Sequence, residues 1–214
     1  SLTLNGGSIT FSNWTTRLIA TNVVLNGGTI TCAGPFNSYV NDIWPVLEPS
    51  NRVHIVCDNL TVAEGAAIDV SGRGYRGGFY ADSVYYDAHG PGGGGRSTGG
   101  SHAARGGNSN SKLSYGDPLR PMAPGSGGGS SYTSNSGKFG HGGGAIYIEA
   151  TGIVTIDGNV WANGVSVTAS DWGAGAGGSI LIDSRRIAGS GKVQAQGGSG
   201  SGGSGSGGRI AVYY

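Results

Sequence analysis

Three passages repeat one phrase: Gly143-Gly-Ala-Ile-Tyr-Ile148, Gly177-Gly-Ser-Ile-Leu-Ile182 and Gly207-Gly-Arg-Ile-Ala-Val212. In each, two glycines precede a short run whose apolar residues lie two apart, the period of a strand with one face inside. A second phrase lies between the copies. Val154-Thr-Ile-Asp-Gly-Asn-Val-Trp-Ala-Asn-Gly164 and Ile187-Ala-Gly-Ser-Gly-Lys-Val-Gln-Ala-Gln-Gly197 keep step over their length. Strand, glycine turn, strand and turn recurring at a fixed offset are the pattern of a solenoid, in which each repeat stacks on the last.

The same grammar runs outward to the N-terminus. Leu2-Thr-Leu-Asn-Gly-Gly-Ser-Ile-Thr-Phe11 is echoed almost residue for residue by Val23-Val-Leu-Asn-Gly-Gly-Thr-Ile-Thr-Cys32, and again by Leu60-Thr-Val-Ala-Glu-Gly-Ala-Ala-Ile-Asp-Val70. A further short strand precedes copies two to five: residues 18–20, 53–55, 146–148 and 180–182. These are the A strands; the pair that follows is B and C. One coil is then A, B, C and a return loop. A single coil cannot bury its inward residues, but stacked coils can, with each strand paired above and below. The expectation is an all-β parallel β-helix, a three-sided β-solenoid of about five coils in one domain, 1–214. Its coil strands lie near 2–34, 53–72, 145–164, 179–197 and 209–214. The inward column would be Leu4, Ile9, Leu25, Ile30, Val62, Ile68, Ile156, Val160 and Val193. The competing architecture, a β-sandwich with glycine-rich loops, requires no shared offset between strand pairs.

Most of the extra length falls in one place, the return from C to A: 35–52, 73–142, 165–177 and 198–206. Insertions at one corner of a solenoid project from one side. The longest, 73–142, is rich in glycine and tyrosine. Glycine runs can lie side by side as extended segments because no Cβ separates the backbones. An ordered cover is expected, because Phe79, Tyr80, Tyr85 and Tyr86 need something to bury against. The outward A-strand residues Ile19, His54, Tyr147, Leu181 and Ala211 make a largely apolar ladder that such a cover, or another chain, would hide.

Composition agrees with ordered β-structure. Glycine accounts for 46 of 214 residues, while 36% are apolar and only 12% charged. Glycine at that density opposes helix. The net charge is +1 with no run of Lys or Arg, which argues against nucleic acid and anionic membrane as partners. No apolar run reaches the roughly 20 residues of a membrane span. Low charge with abundant Gly, Ser, Thr and Asn points to an extracellular or cell-surface setting. Asn13-Trp-Thr and Asn59-Leu-Thr fit the N-glycosylation pattern.

The search for chemistry finds little. The outward B ladder (Thr3, Val24, Thr61, Thr155, Ala188) and the outward C ladder (Thr10, Thr31, Asp69, Trp161, Gln194) contain one carboxylate between them, so no acid/base pair lies there. Asp82, Asp87 and His89 fit no metal spacing of note. No cofactor is implied. Cys32 and Cys57 both point inward, either bridged across adjoining coils or as two buried thiols. Trp161 and Trp172 are candidate contacts for sugar rings, with Trp14 and Trp44 behind them; packing under loops is the alternative for all four.

The two ends are complementary. The first coil begins at its B strand, and the last stops at its A strand. Either these residues are a slice of a longer β-helix, or copies stack head to tail. In the second case Leu2, Leu4, Ile9 and Phe11 of one copy meet Ile210, Val212, Tyr213 and Tyr214 of another. A heterologous contact of that kind builds open filaments.

The Gly-Gly-x-Ile-x-Val strand followed by apolar-Thr-Ile-x-Gly-x-Val-x-Ala-x-Gly resembles the glycine-rich β-helix regions of bacterial surface proteins and adhesins, filamentous-haemagglutinin-like in style. The likeness covers roughly 1–72 and 143–214. It implies a secreted or surface-displayed rod used for adhesion or as fibre material. Pectate-lyase-like enzymes share the architecture, but their active-site pattern has no residue-by-residue match here. The functional expectation is a non-enzymatic structural or adhesive protein whose partner is itself or adjoining coils of the same protein. The alternative is a polysaccharide-binding module, or a polysaccharide-active enzyme, using the insertion side.

Overall fold

The computed structural model describes residues 1–36, 49–81, 84–131, 139–168 and 170–214. Among these there is no helix. Eleven strands follow in order: β1 Leu2–Phe11, β2 Leu18–Cys32, β3 Val53–Val62, β4 Ala67–Asp69, β5 Phe79–Ala81, β6 Val84–Tyr86, β7 Ala145–Ile156, β8 Asn159–Trp161, β9 Ser179–Ala188, β10 Lys192–Gln194 and β11 Arg209–Tyr213. All but β5 and β6 belong to one parallel sheet.

The register places the repeated phrases directly over one another. Leu2 pairs with Val23, Val23 with Leu60, Leu60 with Val154 and Val154 with Ile187. A second column runs Ile9, Ile30, Ile68, Val160, Val193. A third runs Leu18, Ile55, Ile148, Ile182, Val212. Each column takes one residue per tier, and the middle tiers are fully buried or nearly so. These columns are the core, because strict alternation points every second side chain inward and parallel stacking keeps like over like.

A and B strands are continuous in β2, β3, β7 and β9 and turn without a break. The A–B corner of β3 consists of two successive exposed residues, Asp58 and Asn59, where the alternation skips a step. Side-chain amides bridge the corners at the spacing of the tiers: Asn26 Nδ2 donates to Asn5 at 2.9 Å and Asn59 Nδ2 to Asn22 at 3.1 Å. The B–C corner uses glycine. Gly28 has φ +80°, and a Cβ there would lie 2.4 Å from the Gly7 carbonyl of the tier above.

Described residues of the return segments contact one another: Phe36 bridges to Tyr75, Val167 to Gly200 and Gly173 to Gly203. They form a close-packed layer. Segment 140–144 illustrates it: Gly142 N–H donates to Tyr75 O (2.9 Å), and its carbonyl accepts from Gly74 (2.7 Å). Gly143 N–H donates to Ala176 O, while its carbonyl accepts from Gly125. Gly140 and His141 accept from Gly128 and Val165. One segment therefore bonds to more neighbours than the two a sheet strand can have, so this layer is a bundle of extended chains. It requires glycine, since a Cβ at Gly129 would fall 1.7 Å from the Gly95 carbonyl. Within the insertion, β5 and β6 form an antiparallel hairpin in which Phe79 stacks on Tyr86 at 4.3 Å. Arg76 lies over Phe79 and Phe139. The side chains of Tyr80 and Tyr85 lie outside the described residues.

One alignment needs correcting. Residues 18–20 do not sit over 53–55; Leu18 pairs with Ile55 and Ile19 with Val56. Ile19 therefore belongs to the row Val56, Glu149, Asp183, Tyr213, and not to that of His54, Tyr147, Leu181 and Ala211. The A strand of this tier enters late, and a three-residue apolar run fits either frame.

Candidate functional site

At the head of the stack, among the described residues, β1 pairs with β2 alone. Leu2, Leu4 and Ile9 are half-buried against the core, and Phe11 is buried. Residues 18–20 pair only with β3, and Ile19 is 68% exposed. At the tail, among the described residues, β11 pairs only with β9, and β10 only with β8. Ile210 pairs with the fully buried Ile180, yet is itself 45% exposed. Val212 packs on the core from the position below Ile182. Both residues lie in the inward columns, and among the described strands β11 is paired on one side. Tyr213 donates its hydroxyl to the Leu119 carbonyl, and Tyr214 is 83% exposed. An open depression of about 280 Å³ lies by the ends of β7 and β9 and the start of β10, lined by Ile156, Ile187, Ala188, Gly189, Gly191 and Val193. Head and tail thus both carry unpaired strand edges with apolar residues on them.

A polar cluster sits on the outward A face. His54 Nε2 is 2.6 Å from Glu149 Oε1, and Arg52 donates to His54 Nδ1 at 3.2 Å. Because Arg52 can only donate, Nδ1 is the acceptor and the neutral ring carries its proton on Nε2, toward Glu149. Burial, with Arg52 adding to it, pushes the His54 pKa down against the pull of Glu149. Burial pushes the Glu149 carboxyl up, but hydrogen bonds from His54 and Tyr147 outweigh it and keep the group below its usual range. Tyr147 stacks on His54 at 4.7 Å, and Arg120 donates to its hydroxyl. Arg52 also reaches Met122 and lies over Trp14. Ser179 donates to the Ala123 carbonyl. Segment 120–123 is therefore fastened to the A face through Tyr147, Arg52 and Ser179. Both nitrogens of His54 are engaged, so neither is free to take a substrate proton. The cluster acts as a clamp between insertion and sheet. Parity alone marks Glu149 and Asp183 as outward neighbours of Tyr147 and Leu181; the reach of Arg52 and Arg120 has no sequence signal.

A second histidine is deeper. His102 is fully buried, donates its Nδ1–H to the Gly177 carbonyl (2.7 Å), and lies against Tyr115. Burial pushes its pKa down to about 4. His141, which accepts from Gly77 N–H, is also pushed down to about 4, by burial and then by Arg76 and Arg73.

The remaining candidates separate by environment. Asn13 lies in an exposed loop, with Thr15 N–H and Oγ1 both donating to its Oδ1. Asn59 is exposed too, but its amide is engaged on both sides, donating to Asn22 and accepting from Ile153 N–H. Cys32 and Cys57 are buried free thiols, so of the two alternatives the structure has the unbridged one. They stand in different columns, Cys32 beside Phe11 and Cys57 between Ala20 and Ala150. Burial pushes Cys32 up to about 12 and Cys57 to about 11. Trp172 is corrected: it is 1% exposed, packed with Val167, Ala174 and Phe139, and offers no face to a sugar. Trp161 is half-buried in the outward row between Asp69 and Gln194. Trp44 and Asp82 lie outside the described residues. Among the described residues no group of three or more His, Cys, Asp or Glu is placed to hold a metal ion, and no helix is long and apolar enough to cross a membrane.

Comparison with family models, with curated proteins and with solved structures found no match.

Proposed function

We propose that the chain is a structural element: a three-sided parallel β-helix of about five coils, broadened at one corner by its glycine-rich insertions. It serves outside the cell or on its surface as fibre or adhesive material, with its coils continued end to end by like coils. The observation that carries this reading is the register: Leu2, Val23, Leu60, Val154 and Ile187 stand over one another, as do Ile9, Ile30, Ile68, Val160 and Val193, so the chain is a stack of like tiers that further like tiers can extend by strand pairing. The polar cluster supports the same reading, because its members are spent on holding the insertion down. The low charge and the exposed Asn13 suit a secreted glycoprotein.

Electron microscopy of purified 1–214, with sedimentation, tests this. Long unbranched fibres, unchanged by added polysaccharide, are expected. A protein that stays monomeric at high concentration and shows sugar-dependent quenching of Trp fluorescence would instead support a glycan-binding module.

A further inference from the structure

The three core columns fix how two copies would join, and this inference rests on the end-to-end reading above. The A column runs Leu18, Ile55, Ile148, Ile182, Val212, one residue per tier. Its next member, one strand spacing on, has the place of Leu18 in a following copy. The B column ends at Ile187 and the C column at Val193. Their next members have the places of Leu2 and Ile9. We infer that β11 of one copy and β1 of the next share a single composite tier. In it β11 pairs with residues 18–20 of that next copy, Val212 beside Leu18 and Tyr213 beside Ile19. β1 pairs in turn with β9 and β10 of the first, Leu2 beside Ile187 and Ile9 beside Val193.

Three features on separate parts of the molecule agree with this join. The depression of about 280 Å³ is lined by Ile156, Ile187 and Val193, the residues that the incoming Leu2, Leu4 and Ile9 would cover. Those three side chains are the half-buried apolar residues at the opposite end. Ile19, 68% exposed, meets Tyr213, which is outward in the same row.

The test is the double variant Ile19→Cys/Tyr213→Cys, oxidised mildly, with microscopy and a non-reducing gel on the same sample. Adjacent strands hold their Cα atoms about 4.8 Å apart, within disulfide reach. The offset pair Ile19→Cys/Ala211→Cys is displaced by about 7 Å along the strand and is the control. Cys32 and Cys57 are buried and stay out of the exchange. Fibres with a ladder of covalent multimers from the first pair, and none from the second, are expected. Fibres in which the first pair fails to link, or in which the offset pair links instead, overturn the register and leave end-to-end assembly standing. Monomers throughout overturn both.

Discussion

Replacing Gly142 by alanine tests the glycine layer most sharply. A Cβ there would sit 1.8 Å from the Gly125 carbonyl oxygen and 2.3 Å from its carbon. Ordinary contact begins near 3.4 Å, so the two segments must part by about 1.6 Å. The obstacle is backbone, which cannot swing aside as a side-chain tip can. Gly142 also holds two backbone hydrogen bonds, to Tyr75 O at 2.9 Å and from Gly74 N–H at 2.7 Å. A displacement of that size breaks at least one. A buried polar group left unpaired costs about 1–3 kcal/mol, and forced overpacking about 1–3 kcal/mol more. Against this, alanine reduces unfolded-state entropy by only about 0.4–1 kcal/mol. The expected net loss is about 1–6 kcal/mol in urea denaturation, a large share of a typical domain's stability. Gly95→Ala is the internal control, since a Cβ at Gly95 has nothing within 4 Å; it should be neutral or slightly stabilising. If Gly142→Ala unfolds within about 1 kcal/mol of the parent, the close approach of segments 125 and 142 does not exist.

Three further outcomes follow from the buried groups. The depressed pKa of His102 means the unfolded chain binds the proton more readily than the folded one. Stability is therefore intact above the unfolded value of 6.5 and falls as pH drops toward about 4, by up to about 3 kcal/mol; denaturation midpoints measured across that range should show the slope, and His102→Gln should reduce it, leaving the part due to His141, which is pushed down to about 4 as well. Cys32 and Cys57, pushed up to about 12 and about 11, should resist a thiol reagent at pH 8 in the folded protein, and both should react at once in denaturant. His54→Ala removes a partner of Glu149 and the stack on Tyr147; it should cost about 1–3 kcal/mol and expose segment 119–124 to protease before the sheet unfolds.

The columns were legible from the residues because alternation and glycine corners are local signals repeated five times. Ile30, Ile68 and Val160 fall where the shared phrase puts them, although the separation between neighbouring tiers reaches 94 residues. The frame of residues 18–20 was not legible, because three apolar residues without a flanking glycine can shift by two and still alternate. The packing of Trp172 was hidden for a different reason. Its surroundings are assembled from return segments distant in sequence, and glycine-rich chain carries no pattern of burial. The clamp at His54 was half legible: parity set the row, but long Arg side chains from a loop reach it by routes that spacing does not encode.

The axial repeat of the assembled material bears most directly on the whole scheme. Four complete tiers plus one shared between copies make five strand spacings per copy, or about 24 Å of rise at about 4.8 Å each. Fibre diffraction or helical reconstruction of assembled 1–214 should give that rise together with the strand spacing along the fibre axis. A rise that is not close to five strand spacings, or strands lying across the direction expected for a stack, would contradict it.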